Sequence, residues 1–210
     1  IPGEAGEFLK VQLLKNRFNI TRSKTSPIII TEMLYNAIGL VALSVTSIWF
    51  FEFTIYIFVV FSILLVLLFY LINNKKYFLK IINKFLKIRF FKKYAEATSE
   101  SLEIIQNLTK GKVLVYSVTL SIFFWLIECI AIHLLLSSFG INTIELLALI
   151  PMYTSSIILG VVSFLPFGLG VFEGSLAGFL SLHGIHLSIS LTIVILARII
   201  TRWYSVFVGL

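Results

Sequence analysis

The sequence predicts an all-α, polytopic bundle of transmembrane helices. Of its 210 residues, 59% are hydrophobic and only 13% are charged, and the mean hydropathy is +1.02. Soluble domains carry about 45–50% apolar and about 25% charged residues, so lipid must be the solvent for most of this chain. We therefore expect a multi-pass protein of the cell membrane that is not an enzyme and uses no cofactor.

Apolar stretches of helix length divide the chain. The clearest is 53–72, where 20 consecutive residues carry no charge. That length crosses about 30 Å of hydrocarbon at about 1.5 Å per residue. Further spans are predicted at 27–51, 113–138, 146–165 and 186–210, and Pro151 is expected to break the helix of 146–165. Between the spans, a polar helix is predicted in 95–112 and a tight loop at 139–145. The segment 166–184 is too short to cross.

The basic residues are concentrated in two segments. Fifteen of the 17 Lys and Arg lie before residue 27 or within 73–112, where bases alternate with apolar residues near helical spacing. Cytoplasmic loops carry such an excess, so both segments are expected in the cytoplasm and 139–145 outside. Residues 73–112 are interpreted as a basic amphipathic connector on anionic headgroups of the lipid bilayer. No nucleic-acid binding is expected.

Residues 1–210 are expected to form a single transmembrane domain. The chain begins at Ile1 instead of Met and Leu210 falls inside an apolar run, which indicates a fragment that lacks N-terminal helices. Cys129 is the single cysteine, and no Cys or His cluster has ligand spacing. No metal site is therefore predicted.

Two short segments, 1–7 and 165–173, resemble each other. Each has an aliphatic residue, then proline, then glycines and a glutamate. Non-helical backbone at membrane depth persists only where protein or water satisfies its polar groups. The pair therefore predicts two re-entrant or broken helices around a shared cavity, and an internal repeat. The repeat is parallel if both segments return to their own side and inverted if either one crosses.

The spacing of ionisable residues supports the repeat. Glu32 follows Glu7 by 25 residues, and Arg198 follows Glu173 by 25 residues. A charge at membrane depth costs roughly 2.5–3.5 kcal/mol on the mildest scale, so each needs compensation. Two interpretations are open, a Glu–Arg bridge between helices or a polar pathway for a charged or zwitterionic headgroup.

Paired, interrupted helices at corresponding positions are typical of a transporter's binding site. The chain lacks a Ser-His-Asp set, a paired aspartate motif and a phosphate-cradling loop. The predicted substrate-binding residues are therefore those of the two segments and their partner helices. They are Glu7, Glu32, Pro166, Gly168, Gly170, Glu173 and Arg198.

The stretches 165–174 (LPFGLGVFEG) and 196–201 (LARIIT) resemble the transmembrane region of lysylphosphatidylglycerol synthases. Residues 2–7 (PGEAGE), with Glu32 in the next helix, are similar to an earlier motif of that family. One departure is Phe167, since the family usually has Pro-Gly-Gly at this place. The resemblance covers nearly the whole chain, and its C-terminal motif is its more specific part.

The resemblance implies a lipid flippase-like bundle. Bacterial members translocate aminoacylated phosphatidylglycerol between leaflets, and in some archaeal members a related region is joined to a glycosyltransferase acting on dolichol-phosphate sugars. The expected partner is thus a phospholipid or a polyprenyl-phosphate lipid. Neither soluble transferase domain lies within these residues, so lysyl transfer to lipid is not predicted for them.

Three functions remain open at this point. The first is a flippase for an anionic or isoprenoid-linked headgroup. The second is a non-transporting module that docks or supports a separate, soluble lipid-modifying enzyme or glycosyltransferase. The third is an intramembrane enzyme that uses Glu173 as acid or base, for which the sequence offers no second catalytic group.

Overall fold

A computed structural model describes residues 12, 14–18, 22–46, 52–74, 95–163, 165 and 168–203. Regular structure within these ranges is helical, and they contain no strand, which confirms the predicted all-α class. The helices are α1 (Arg22–Ser44), α2 (Glu52–Asn73), α3 (Ala95–Leu108), α4 (Gly111–Ser138), α5 (Leu146–Val162), α6 (Val171–Leu182) and α7 (Leu187–Arg198), which a π-helical turn (Ile199–Trp203) continues.

Three of these helices are long and apolar enough to cross a membrane. They contain the candidate spans Lys24–Ser44, Ile55–Asn73 and Gly111–Ser138. In α2 the span has a mean hydropathy of 3.0, and only 6% of it is buried inside the protein. An exposed helix surface that is this apolar is stable where lipid is the solvent. The predicted spans at 27–51, 53–72 and 113–138 correspond to these helices.

The prediction that Pro151 breaks its helix is wrong. Residues Leu146–Val162 form one helix with Pro151 inside it. Proline removes a single backbone donor and crowds the preceding turn. Here the residue is buried together with its neighbours Leu149 and Met152, and this packing holds the helix together.

Helix α1 tolerates a proline too. It begins at Arg22, ahead of the predicted start at Pro27. The hydroxyl of Thr31 donates a hydrogen bond of 2.8 Å to the carbonyl of Pro27, as serine and threonine often do within membrane helices.

The chain divides into two compact units, each with its own apolar core. The first comprises Ile1–Ile38 and Ser62–Ser121. Side chains donate hydrogen bonds to carbonyl groups at the C-terminal ends of two of its helices. Tyr35 donates to the Leu108 carbonyl of α3 (2.7 Å), and Gln106 donates to the Ile72 carbonyl of α2 (2.7 Å). The buried apolar residues of this unit are Leu34, Ile72, Leu102 and Ile105.

The second unit comprises Gly39–Phe61 and Ile122–Leu210. Its core lies where α6 packs against both α5 and α7. Side chains from all three helices are completely excluded from solvent there. They are Leu149 and Met152 of α5, Leu176 and Leu180 of α6, and Ile193 and Val194 of α7.

Helices α6 and α7 form a short hairpin. Each has 12 residues, and they are joined by the turn at 183–186. Twelve residues rise about 18 Å, less than the roughly 30 Å of a hydrocarbon core. Helix α6 is thus too short to cross as an ordinary span, in agreement with the prediction for 166–184.

Candidate functional site

The chain leaves the helical path between α5 and α6. Helix α5 ends at Val162, and the hydroxyl of the next residue, Ser163, donates to the Gly160 carbonyl over 2.6 Å. A tight turn follows, in which the Gly168 N–H donates to the Leu165 carbonyl over 2.9 Å. The predicted interruption in the second Pro-Gly segment is therefore present.

Two glycines determine the backbone path into α6. Gly168 has φ +60° and Gly170 has φ +82°, in the left-handed region that side chains avoid. Gly168 also lies against α5, since a Cβ added to it would sit 2.7 Å from the Cα of Gly160. No larger residue fits this contact without a shift of backbone, so Gly168 fixes the distance between the turn and α5.

Glu173 closes the first turn of α6. Its Oε2 accepts a hydrogen bond of 2.7 Å from the backbone N–H of Gly170, the residue that precedes the helix. The N-terminal end of a helix carries a partial positive charge from its unpaired amides. The N-terminal end of α6 therefore stabilises the Glu173 carboxylate independently of any side-chain partner.

The second oxygen of Glu173 holds Arg198. The Nε of Arg198 lies 3.0 Å from Oε1 of Glu173, and the two side chains are 14% and 16% exposed. The guanidinium also lies over the ring of Phe172, with 4.6 Å between Cζ and the ring centroid. Arg198 is thus fixed between a carboxylate and an aromatic face that belong to consecutive residues of α6.

This ion pair joins α6 to α7 at the open end of the hairpin, opposite the turn at 183–186. Glu173 lies at the start of α6 and Arg198 at the end of α7, where the helix dipoles favour a negative and a positive charge respectively. A π-helical turn begins directly after the arginine, a geometry that is frequent at functional sites. The arrangement can bind an anion if that anion replaces the carboxylate on the guanidinium.

A second polar contact of this unit was not predicted as part of the site. The hydroxyl of Tyr153 donates a short hydrogen bond to Oε2 of Glu128, and both residues are buried. The sequence contains a signal that would have found it. Glu128 lies ten residues before the end of α4 and Tyr153 seven residues after the start of α5, so both are about 10–15 Å from the connecting loop.

The predicted site residues fall into three groups. Gly168, Gly170, Glu173 and Arg198 come together in the second unit, as the distances above show. Glu32 lies on α1 in the first unit, with an exposed side chain. Glu7, together with the whole segment 1–7, and Pro166 lie outside the described residues.

Within the part of the chain that the structure describes, the ion pair does not belong to a cluster of metal-binding side chains. No group of three or more His, Cys, Asp or Glu side chains is placed to hold a metal there. Two cavities lie elsewhere, one lined by His133 with residues 142 and 144–147, and the other by residues 111–112 and 114–116. The carboxylate of Glu173 itself is the anion that Arg198 contacts.

Comparison with known proteins places this hairpin in a family. The sequence profile described as the lysylphosphatidylglycerol synthase TM region matches residues 1–209. The chain belongs to this family. The matched residues include the turn at Gly168, the start of α6 and the Glu173–Arg198 pair of this chain, and the resemblance noted in the sequence is confirmed.

Two curated relatives are UPF0104 membrane proteins of Methanothermobacter thermautotrophicus. One is 29% identical over 116 residues, which cover 55% of this chain and 34% of the relative. The other is 32% identical over 90 residues, which cover 43% and 27%. The matches thus span about a third or less of the length of these relatives. No solved structure matches the chain.

Proposed function

We propose that this protein moves a lipid with an anionic or isoprenoid-linked headgroup between the leaflets of the cell membrane. The headgroup meets Arg198 at the open end of the α6–α7 hairpin, while its acyl or prenyl tails stay among the apolar helices. The observation that carries the proposal is the largely buried Glu173–Arg198 pair, which lies where the short helix α6 begins. The protein acts without covalent chemistry.

The first support is energetic. An arginine or glutamate within the membrane costs roughly 2.5–3.5 kcal/mol even on the mildest scale. The contact of 3.0 Å between the two side chains offsets this cost, yet an apolar pair would avoid it altogether. A charge pair kept at such a place is therefore expected to have a use that apolar residues cannot supply.

The second support is the chemistry of the guanidinium. Its planar fork of donors matches the oxygens of a phosphate, which can accept two parallel hydrogen bonds. The headgroups named above share a phosphate as their common anionic group. Arg198 would therefore exchange the carboxylate of Glu173 for the phosphate of the lipid.

The third support is that Glu173 keeps a partner during such an exchange. Its other oxygen accepts the Gly170 N–H over 2.7 Å and lies at the positive end of α6. The carboxylate is therefore held near the arginine when a phosphate displaces it. When the lipid has moved, Glu173 can recover Arg198 and release the headgroup.

Leaflet translocation in proteoliposomes tests this proposal. Arg198→Lys keeps the charge and loses the fork, so we expect a higher apparent KM for fluorescently labelled phosphatidylglycerol and an initial rate lower by about tenfold or more. That figure corresponds to the loss of roughly 1.5–3 kcal/mol from a charged hydrogen bond. Glu173→Gln removes the competing charge, so the headgroup should bind more tightly and leave more slowly, with KM and kcat both reduced.

Two exposed residues of the first unit provide matched controls. Arg17→Lys and Glu103→Gln make the same chemical changes at exposed positions, and both should transport lipid at the parent rate. Size-exclusion profiles and thermal unfolding report the folding of every variant. If Arg198→Lys and Glu173→Gln fold and move lipid like the parent protein, the site is wrong.

Two further outcomes would assign the hairpin another role. If both variants fail to fold, the pair is a structural ion bridge between α6 and α7. If the folded parent protein moves none of the labelled lipids, the alternative of a module that docks a separate lipid-modifying enzyme is favoured.

A further inference from the structure

We infer that Glu128 and Tyr153 are positioning residues for Arg198 and act on it through the ring of Phe172. The inference rests on the proposed function, in which Arg198 receives the headgroup. It names two buried residues, on α4 and α5, that belong to neither of the sequence motifs. The contacts form a continuous series across four consecutive helices.

The series begins with a buried carboxylate. Glu128 is 7% exposed and Tyr153 is 2% exposed, and the tyrosine hydroxyl donates its hydrogen bond to Oε2 of the carboxylate. A hydrogen bond to a carboxyl oxygen in a low-dielectric interior is strong and directional. It therefore fixes the side-chain torsions of Tyr153, and with them the orientation of its ring.

The second contact transmits that orientation to α6. The rings of Tyr153 and Phe172 are perpendicular, with 5.8 Å between their centroids, which is the favoured edge-to-face geometry for an aromatic pair. Phe172 is only 5% exposed. A rotation of the tyrosine ring would therefore require the phenylalanine ring to move.

The third contact reaches the arginine. The guanidinium lies 4.6 Å above the Phe172 ring, while Glu173 holds its Nε from another direction. A cation over an aromatic face is attracted by the negative face of the ring. When the carboxylate is displaced by a headgroup, the ring of Phe172 still holds the guanidinium in place. The orientation of Phe172 therefore matters most during lipid binding.

The other interpretation is that Glu128 and Tyr153 only join α4 to α5. A clamp of that kind would change the stability of the protein but would leave the environment of Arg198 alone. Readouts at the arginine separate the two interpretations. A matched control is Tyr35, whose hydroxyl donates to the Leu108 carbonyl over 2.7 Å in the first unit.

The first readout does not depend on transport. The Nε–H resonance of Arg198, assigned by its absence from Arg198→Lys, is recorded in a proton–nitrogen correlation spectrum of the protein in detergent micelles. The ring current of Phe172 acts on the guanidinium, so Tyr153→Phe should shift this resonance and Tyr35→Phe should not. An unmoved resonance in folded Tyr153→Phe would overturn the inference.

The second readout is a double-mutant cycle on lipid translocation. Tyr153→Phe should raise the apparent KM for labelled phosphatidylglycerol several-fold with a smaller change in kcat, and should add little to Arg198→Lys. Glu128→Gln keeps an acceptor oxygen and should stay near the parent, whereas Glu128→Leu should resemble Tyr153→Phe. If Tyr153→Phe does not fold, the comparison of Glu128→Gln with Glu128→Leu takes its place in both readouts.

The outcomes distinguish this inference from the proposed function. A normal rate for Arg198→Lys would refute the proposed function, and the resonance of Arg198 would still decide whether Tyr153 positions the arginine. A low rate for Arg198→Lys combined with additive effects of Tyr153→Phe would refute the positioning role alone.

Discussion

Alanine at Gly168 tests the close contact between the turn and α5. The added Cβ would lie 2.7 Å from the Cα of Gly160 and 3.0 Å from its carbonyl carbon, and both atoms belong to backbone that cannot rotate away. The φ of +60° adds strain for any L side chain. We expect about 1–2 kcal/mol from the left-handed backbone and about 1–3 kcal/mol from the overlap, hence a loss of about 2–5 kcal/mol.

Two neighbouring glycines separate these contributions. Gly170 has φ +82° but no atom within 4 Å of an added Cβ, so Gly170→Ala should lose only the backbone part of about 1–2 kcal/mol. Gly160 lies inside α5, and an added Cβ would have its nearest contacts at 3.5 Å. Gly160→Ala should therefore be neutral, or stabilising by about 0.5–1 kcal/mol through higher helix propensity.

The assay is thermal unfolding of the three variants in one detergent at one protein concentration. A change of 1 kcal/mol shifts Tm by about 2–4 °C for a chain of this size. Gly168→Ala should have the lowest Tm, Gly170→Ala an intermediate one, and Gly160→Ala a Tm at or above that of the parent. Equal losses for Gly168→Ala and Gly170→Ala would show that the close contact is absent.

Two further predictions concern the membrane topology and the core. After Cys129 is replaced, single cysteines are introduced at Asn142 and at Ser99, and intact cells are treated with an impermeant thiol reagent. The cysteine at 142 should react and the one at 99 should not, because the basic residues mark the cytoplasmic side. The reverse pattern would overturn the topology. Leu176→Ala should destabilise by about 2–5 kcal/mol because the side chain is fully buried. Leu182→Ala, at a residue that is 81% exposed, should change the unfolding temperature little, and similar losses for the two variants would contradict the packing of α6.

Hydropathy was sufficient to predict where the long helices lie. The apolar runs at 53–72 and 113–138 fall within α2 and α4, because a helix is the form in which a single lipid-exposed segment satisfies its own backbone. The effect of Pro151 was not readable in the same way. Whether a proline breaks a helix depends on the packing around it, and here α5 is buried on most of its surface.

The electrostatic part of the site was readable from sequence, and its aromatic part was not. Glu173 and Arg198 are charges in apolar segments, so the cost of burying them already called for partners. Phe172 and Tyr153 could not be singled out in this way, because aromatic residues make up 15% of the sequence. Their roles depend on ring orientations that only the packing of α5 against α6 determines.

The sequence could identify Glu128 as a buried charge that needs a partner, but it could not identify that partner. A carboxylate in the apolar helix α4 requires a donor, but several residues on later helices were available to supply one. The depth of Tyr153 relative to the α4–α5 loop would have reduced the choice. The structure selects it, since the two side chains meet inside the second unit.

The most direct measurement of the central claim is headgroup selectivity. In proteoliposomes, the initial translocation rate of labelled phosphatidylglycerol is divided by that of a labelled neutral glycolipid that has the same chains but no phosphate, for the parent, Arg198→Lys and the control Arg17→Lys. If Arg198 binds the phosphate of an anionic headgroup, the parent and Arg17→Lys should favour phosphatidylglycerol, and Arg198→Lys should bring the ratio towards unity. A folded Arg198→Lys protein with the same preference as the parent would contradict the account.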